Sequence, residues 1–161
     1  MPYWQLFYHI IWATKNREPL LTPEVESSIY GHLLKKALGL EANVYALNGY
    51  ENHVHIVVSI PPKIAVSKFI GQIKAVASVK YYQSNPDAVP FYWQEEFGAF
   101  SFDRKRLPNF VAYVQRQKEH HAEKKIIPVL EREAVNEIIR ESTPVYLTED
   151  GDWWQSMLEM E

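Results

Sequence analysis

The residues with the clearest chemical potential are two histidines, His53 and His55, which open an apolar run in GYENHVHIVVSIPP. Side chains alternate between the two faces of a strand, so both imidazoles point to one face and Val54 points to the other. Two imidazoles side by side suit a divalent metal ion. Histidines that merely begin a surface strand give the same short pattern, so the pair alone leaves both interpretations open.

A second candidate group lies in FVAYVQRQKEHH, which we interpret as a helix. Tyr113 and Gln117 are four residues apart there, so they are neighbours on one helix face. A tyrosine hydroxyl could act as a nucleophile, and an amide oxygen could be a neutral metal ligand. A tyrosine in an amphipathic helix is also commonly a core residue, and this alternative stays open. We interpret His9 and His32 as structural.

Composition narrows the class of protein. A chain of 161 residues with 47% hydrophobic and 23% charged residues is typical of one globular domain. The absence of cysteine excludes disulfides, thiolate metal sites and cysteine nucleophiles. No apolar run approaches the length of a membrane helix and no leader opens the chain, so we expect a cytoplasmic protein. The net charge of −3 argues against a protein that coats DNA nonspecifically.

The pattern of apolar residues predicts strands at 3–14, 43–49, 53–60 and 91–102, the last bulged near Gly98. It predicts helices at 23–39, capped by Thr22, and at 67–82. Further helices are expected from 107 or 108 to 124 and from 129 to 140. The order strand, helix, strand, strand, helix, strand predicts an α+β, ferredoxin-like (RRM-like) antiparallel sheet with two helices on one face, followed by a C-terminal helix.

Taken together, these motifs resemble a known family, the single-tyrosine HUH transposases of simple bacterial insertion sequences. This insertion-sequence-200-like family includes the REP-associated tyrosine transposases. The resemblance covers nearly the whole chain, through the phrases YHIIWATKNREPLL, HVHIVV, FYWQEEFGAFSF and YVQRQKEHH. It implies a transposase domain at 1–142 and a tail at 143–161 that packs on the domain or on a dimer partner.

The resemblance implies that His53 and His55 are metal ligands, that Tyr113 is the nucleophile, and that Gln117 is the third ligand. The metal would be Mg²⁺ or Mn²⁺. The substrate would be single-stranded DNA with hairpin ends, cut through a 5′-phosphotyrosine intermediate. The active protein would be a homodimer in which the tyrosine helix of one chain completes the histidine site of the other. Lys74 stands where the family usually has a lysine and could face the DNA, and the local cluster of basic residues Arg104, Lys105 and Arg106 could grip it.

Two departures from the family pattern are mild: Asn52 stands where Asp is frequent, and Pro108 falls within the catalytic helix. Two other functions remain as alternatives. The first is a domesticated module that binds single-stranded nucleic acid without cutting it. The second is a metal-dependent hydrolase of a small phosphoester, in which Tyr113 is incidental. Four intact candidate site residues argue against the first alternative.

Overall fold

A computed structural model describes residues 3–124 and 126–132, and its elements follow the predicted order. The strands are β1 (Phe7–Ala13), β2 (Asn43–Tyr50), β3 (His53–Ser59) and β4 (Gly98–Phe102). The helices are α1 (Pro23–Gly39), α2 (Val66–Ser84), α3 (Leu107–Gln115) and α4 (Gln117–Glu123). Single turns of 3₁₀ helix cover Lys15–Arg17, Arg104–Arg106 and Pro128–Glu131.

The strands form one antiparallel sheet in the order β2-β3-β1-β4, which confirms the predicted ferredoxin-like fold class. Helices α1 and α2 pack on one face, over alternate side chains of β1 and β3 that include Ile10, Trp12 and Ile56. Helix α3 packs on the other face, where Phe110 and Val57 belong to a second apolar cluster. Both faces of the central strands are therefore buried. Among the described residues, no helix is long and apolar enough to span a membrane.

The fourth strand is shorter than predicted, and its pairing with β1 is interrupted just before Gly98, near the predicted bulge. Only Gly98–Phe102 pairs in register with β1, while Trp93 forms an isolated bridge to Thr14. The Lys74 ammonium donates to the carbonyl oxygens of Gln94, at 2.6 Å, and Glu95, at 3.5 Å. Because these carbonyls pair with an ammonium, the segment before Gly98 forms a loop and not a longer strand.

The predicted helix at 107–124 is broken at Arg116, where φ is −100° and ψ is 19°. Its two parts, α3 and α4, carry Tyr113 and Gln117 respectively. Of the helix predicted at 129–140, residues 128–131 form a 3₁₀ turn and residues 133–140 lie outside the described residues. The predicted tail at 143–161 and its boundary also lie outside them.

Gly49 provides a test of the hairpin that carries the histidines. It pairs with Val54, and a Cβ at Gly49 would lie 2.2 Å from the His53 carbonyl oxygen. Since that atom is backbone in a paired strand, relief of the clash requires the hairpin to shift. We expect Gly49→Ala to lower the free energy of unfolding by about 1–3 kcal/mol, as overpacking typically does.

Gly31→Ala is the matched control for this variant, since Gly31 lies in α1 and a Cβ there would meet nothing within 4 Å. It should raise the free energy of unfolding by about 0.5–1 kcal/mol, because alanine loses less backbone entropy in a helix. Urea titrations followed by circular dichroism measure both variants. Equal stabilities would contradict the steric argument.

Candidate active site

Strand β3 places both predicted histidines on the sheet face that α3 covers. His53 and His55 share this face with Val57, while the alternate residues enter the core beneath α1 and α2. Both imidazoles are essentially inaccessible to solvent. Their ring centroids are 5.0 Å apart. The prediction that they lie side by side is confirmed, and a simple surface-strand interpretation does not fit their burial.

Glu131, which the sequence did not single out, brings the site together. Its Oε2 atom lies 2.9 Å from His55 Nε2 and 3.3 Å from His53 Nε2. The Tyr113 hydroxyl donates a hydrogen bond of 2.6 Å to Oε1 of the same carboxylate. His121 Nε2 lies 3.7 Å from Oε1. One carboxylate thus connects the histidine pair to the predicted nucleophile.

Asn52 sets the tautomer of His53. Its side-chain oxygen lies 2.8 Å from His53 Nδ1, which must therefore carry the proton and donate it. Neutral His53 then presents a lone pair on Nε2, the form in which imidazole binds a metal. No hydrogen-bond partner for this buried nitrogen lies among the described residues. Asn52, a departure from the family pattern, keeps the histidine in a metal-binding orientation.

His9, which we had interpreted as structural, lies directly behind His55. The two rings are joined by a 2.8 Å hydrogen bond between His9 Nε2 and His55 Nδ1. Both side chains are fully buried. Because a partner on one ring nitrogen decides what the other nitrogen presents, His9 controls the nitrogen of His55 that faces Glu131. The odd-numbered residues of β1 lie on the same face of the sheet as His55. The odd position of His9 in β1 could therefore have placed it at the site.

The Tyr113 hydroxyl is buried and makes two hydrogen bonds. It donates to Glu131 and accepts a 3.0 Å bond from the backbone N–H of Ile127. Burial, together with the neighbouring Glu131 charge, raises the pKa of Tyr113 above its ordinary value. In this arrangement Tyr113 is a neutral phenol held against a carboxylate.

Burial alone would raise the pKa of Glu131, but the imidazoles around it lower that pKa well below the usual carboxyl range. His55 has the largest of these effects, and His121 and His53 add to it. The side chain therefore carries a negative charge in a largely enclosed position. A buried charge is tolerated only when it is closely paired. This pocket therefore favours a cation next to the Glu131 carboxylate.

Gln117 opens α4 beneath this cluster. Its Nε2 group donates a 3.3 Å bond to the Tyr113 carbonyl, and its buried Oε1 atom has no hydrogen-bond partner among the described residues. Lys118 fixes α4 against the sheet, since its ammonium lies 2.6 Å from Asn48 Oδ1 and 2.8 Å from Glu26 Oε1. The predicted role of Gln117 as a ligand stays a prediction, with an unsatisfied acceptor in its favour.

The four residues predicted to bind DNA fall into two groups. Lys74 is 7% exposed and holds the loop before β4, so its ammonium points to backbone carbonyls. Arg104, Lys105 and Arg106 are exposed on the 3₁₀ turn that precedes α3. Asp103 pairs with Arg106 at 3.1 Å. The DNA contacts of all four residues stay predictions. The exposed turn with Arg104, Lys105 and Arg106 is better placed to contact DNA than the buried Lys74.

The donor atoms fit a divalent metal. His53, His55 and Glu131 could hold an ion, because one ligand atom from each lies within 4.8 Å of the others. Ligands at right angles on bonds of about 2.1 Å are about 3 Å apart, close to the two nitrogen–oxygen distances here. The lone pair of His53 facing a carboxylate oxygen is unfavourable unless a cation or a proton lies between them.

Comparison with known proteins identifies the family. The family model described as "Transposase IS200 like" matches residues 2–117. The chain belongs to this family. The match includes the histidine pair, Tyr113 and Gln117, and it ends before Glu131. A curated relative, the transposase for insertion sequence element IS200 of Salmonella typhimurium, is 26% identical over 120 residues, 74% of this chain and 79% of the relative.

Two solved structures of transposases share the fold of this IS200-like transposase. One is a crystal structure of a transposase from Deinococcus radiodurans, with a TM-score of 0.57 and 20% identity, covering 73% of this chain and 95% of the other. The other is a REP-associated tyrosine transposase bound to a REP hairpin, with a TM-score of 0.56 and 13% identity, covering 88% and 96%. Family membership makes the chain a DNA-processing enzyme.

The buried histidines of this transposase predict a loss of stability in mild acid. Burial lowers the pKa of His55 to about 4 and that of His9 well below 6.5. Below pH 6.5 the two histidines are protonated in the unfolded chain but stay neutral in the folded chain. The free energy of unfolding therefore decreases as the pH is lowered. From pH 6.5 to 5, we expect His55 to remove about 1.6 kcal/mol, and His9 to lower the free energy of unfolding in the same direction.

Urea unfolding at pH 7.5, 6.5, 5.5 and 5 measures this dependence, which should be flat above pH 7. His9→Gln should remove one histidine's share of the slope. His32→Gln, on α1 and outside the cluster, is the matched control variant. An identical pH profile for His9→Gln and the unmodified protein would contradict the argument.

Proposed function

We propose that this transposase cuts and rejoins single-stranded DNA through Tyr113, assisted by a divalent metal ion held by His53 and His55. The observation that carries the proposal is the convergence of both imidazoles and the phenolic hydroxyl on the one carboxylate of Glu131. A bound Mg²⁺ or Mn²⁺ would polarise and orient the scissile phosphate, and the imidazole ligands favour Mn²⁺.

The residues of this chain support a transesterification. Attack of the Tyr113 oxygen on phosphorus forms a tyrosine–phosphate bond and breaks the bond from phosphorus to the 3′ oxygen. The phenolic proton is lost, and the departing 3′ oxygen takes up a proton to become a hydroxyl. A 5′-phosphotyrosine remains on the enzyme. Since one phosphoester replaces another, a later 3′-hydroxyl can reverse the step without a nucleotide cofactor.

Glu131 must leave its position before this reaction can occur. Its carboxylate lies between the imidazoles and the Tyr113 hydroxyl, where the scissile phosphate would have to bind. Two anions cannot share this enclosed position. We therefore infer that Glu131 would help to hold a metal ion when DNA is absent and would give way to a phosphate oxygen when DNA binds. Gln117, whose amide oxygen is unsatisfied, then remains as the third protein ligand.

The DNA partner is supported by the family and by a related structure, since the REP-associated transposase of similar fold is bound to a REP hairpin. We propose the same class of substrate here, single-stranded DNA next to a hairpin. Within one chain Tyr113 already lies beside His53 and His55, so exchange of helices between chains is not needed to bring these groups together. A homodimer with shared sites stays a prediction.

Covalent trapping tests the proposed chemistry. Labelled single-stranded DNA with candidate hairpin ends is incubated with protein and Mn²⁺ or Mg²⁺ and separated on a denaturing gel. We expect a metal-dependent protein–DNA adduct that Tyr113→Phe abolishes and His53→Ala reduces by at least about 100-fold. Tyr81→Phe, which alters a buried tyrosine on the opposite sheet face, should form the adduct normally.

The alternatives give other results in the same assay. DNA binding without an adduct, across several hairpin ends and both metals, would replace the proposal with a non-cleaving binding module. Metal-dependent phosphoester hydrolysis that survives in Tyr113→Phe would favour a hydrolase with water as the nucleophile.

Opposite effects on metal binding and cleavage test the exchange at Glu131. Without DNA, Glu131→Gln should weaken Mn²⁺ binding at least about tenfold, because a charged oxygen ligand is lost. With DNA, the same variant should form the adduct severalfold faster, because no carboxylate competes with the phosphate. Gln117→Ala should slow adduct formation. Calorimetric Mn²⁺ titration and adduct time courses provide the two measurements.

Loss of adduct formation in Glu131→Gln would contradict the exchange and make Glu131 itself a required group in the reaction. Glu123→Gln is the matched control, since Glu123 is exposed at the end of α4. It should change neither Mn²⁺ affinity nor the rate of adduct formation.

A further inference from the structure

A second concave site lies on the α3 face of the sheet, at the end opposite to the histidines. This aromatic cavity, of about 380 Å³, is bounded by the chain before β1, the start of β2, the end of β3 and the turn that precedes α3. It is large enough to hold a small ligand. The residues that matter for its chemistry are Tyr3, Trp4, Phe7, Asn43, Tyr45 and Arg104.

The aromatic side chains of this cavity are unusually accessible. Tyr3 is 83% exposed, and Trp4 and Tyr45 are each 40% exposed. Behind them the packing is rigid, because the Tyr45 ring meets Phe7 at 5.8 Å and Phe7 stacks on Phe102 at 5.9 Å. Exposed aromatic rings on a rigid support are the arrangement on which unpaired bases stack.

The charge of the cavity suits a phosphate. Arg104 lines it, and Lys105 follows on the same exposed turn. Among the residues that the structure describes, no carboxylate lines the cavity, and Asp103 pairs with Arg106. Asn43 and Gln5 add amide groups, which can hydrogen-bond the edge of a base. Aromatic faces, amides and a guanidinium together match a nucleotide better than a peptide or a lipid.

We propose that the aromatic cavity binds one nucleotide of the single-stranded DNA substrate, with its base against Trp4 and Tyr45 and its phosphate on Arg104. This inference rests on the proposed function, because it takes the same DNA as the ligand. From His53 to Ser59, β3 spans about 20 Å. A stacked single strand rises about 3.4 Å per nucleotide, so the bound nucleotide lies about six nucleotides, or fewer if extended, from the cleaved bond.

An abasic scan in the Tyr113→Phe background, without metal, tests the cavity independently of cleavage. Each oligonucleotide carries a hairpin and one abasic position, and binding is measured by fluorescence anisotropy. We expect one or two sensitive positions, about three to six nucleotides from the cleaved bond and on one side of it only. Trp4→Ala should weaken binding of the intact oligonucleotide about 5- to 150-fold and abolish this position dependence.

Arg104→Ala should weaken binding at all positions and reduce the slope of log affinity against log salt by about 0.7. It alters an exposed turn, so it tests the cavity even if Trp4→Ala folds poorly. Tyr92→Ala and Lys35→Ala are the matched controls, since they remove an exposed ring and an exposed charge elsewhere. Both should bind DNA normally.

The results separate this inference from the proposed chemistry. An unchanged abasic pattern in Trp4→Ala together with unchanged affinity in Arg104→Ala would overturn the cavity proposal, even if the Tyr113 adduct forms. Loss of the pattern in Trp4→Ala would support the cavity, even if no adduct is ever found.

Discussion

Every residue of β3 is buried, because α1 and α2 cover one face of the sheet while α3 and residues 126–132 cover the other. The alternation of side chains along the strand therefore places the histidines on one face and the apolar core residues on the other. A register shift of one residue would turn His53 and His55 into the apolar core and bring Val54 and Ile56 to the site. The packing that holds the sheet together also fixes the two imidazoles on the face that Tyr113 occupies.

The polar groups on that face are connected by one central charged group, the Glu131 carboxylate. His53 offers a lone pair, His55 is held from behind by His9, and the Tyr113 hydroxyl needs an acceptor. The Glu131 carboxylate supplies the acceptor and the charge. The same groups would also bind a metal ion together with a phosphate. The imidazoles would then bind the cation, and the Tyr113 hydroxyl would lie next to the phosphorus. The DNA-free arrangement is thus an electrostatic substitute for the arrangement we propose for the reaction.

The sequence was most informative where a pattern is local. Alternation in the His-x-His run, the Thr22 cap with Pro23 and the spacing of apolar residues predicted the elements and the face shared by the histidines. It failed where a distant group decides the local structure. The strand at 91–102 was overestimated because Lys74, from α2, binds carbonyls that the sheet would otherwise use.

The site shows the same division between local and distant information. Tyr113 and Gln117 were singled out because a spacing of four residues has a meaning on a helix, although the helix breaks at Arg116 between them. Glu131 had no such signal, since it follows the helices in a segment whose path depends on packing against the sheet. His9 lay within reach, because its parity in β1 is that of the site face, but only once the pairing of β1 with β3 was known.

Charge is distributed along the chain in a way that matters for DNA. Nine of the 20 acidic residues but only two of the 17 basic ones follow Leu130, so residues 1–130 carry a net charge of +4 within a chain of −3. The domain that contains the site is therefore cationic, and either DNA or the chain's own acidic residues can neutralise it. Glu131, the first of those acids, already lies against the histidines.

Binding of DNA and binding of the internal Glu131 carboxylate should respond differently to salt. Binding of DNA releases condensed counterions, so it weakens steeply as salt rises. Glu131 lies 2.9 Å from His55 in an enclosed site, and such a pair is little affected by screening. Rising ionic strength therefore shifts the balance towards the arrangement in which Glu131 holds the site, because it removes the competitor and leaves the internal carboxylate in place.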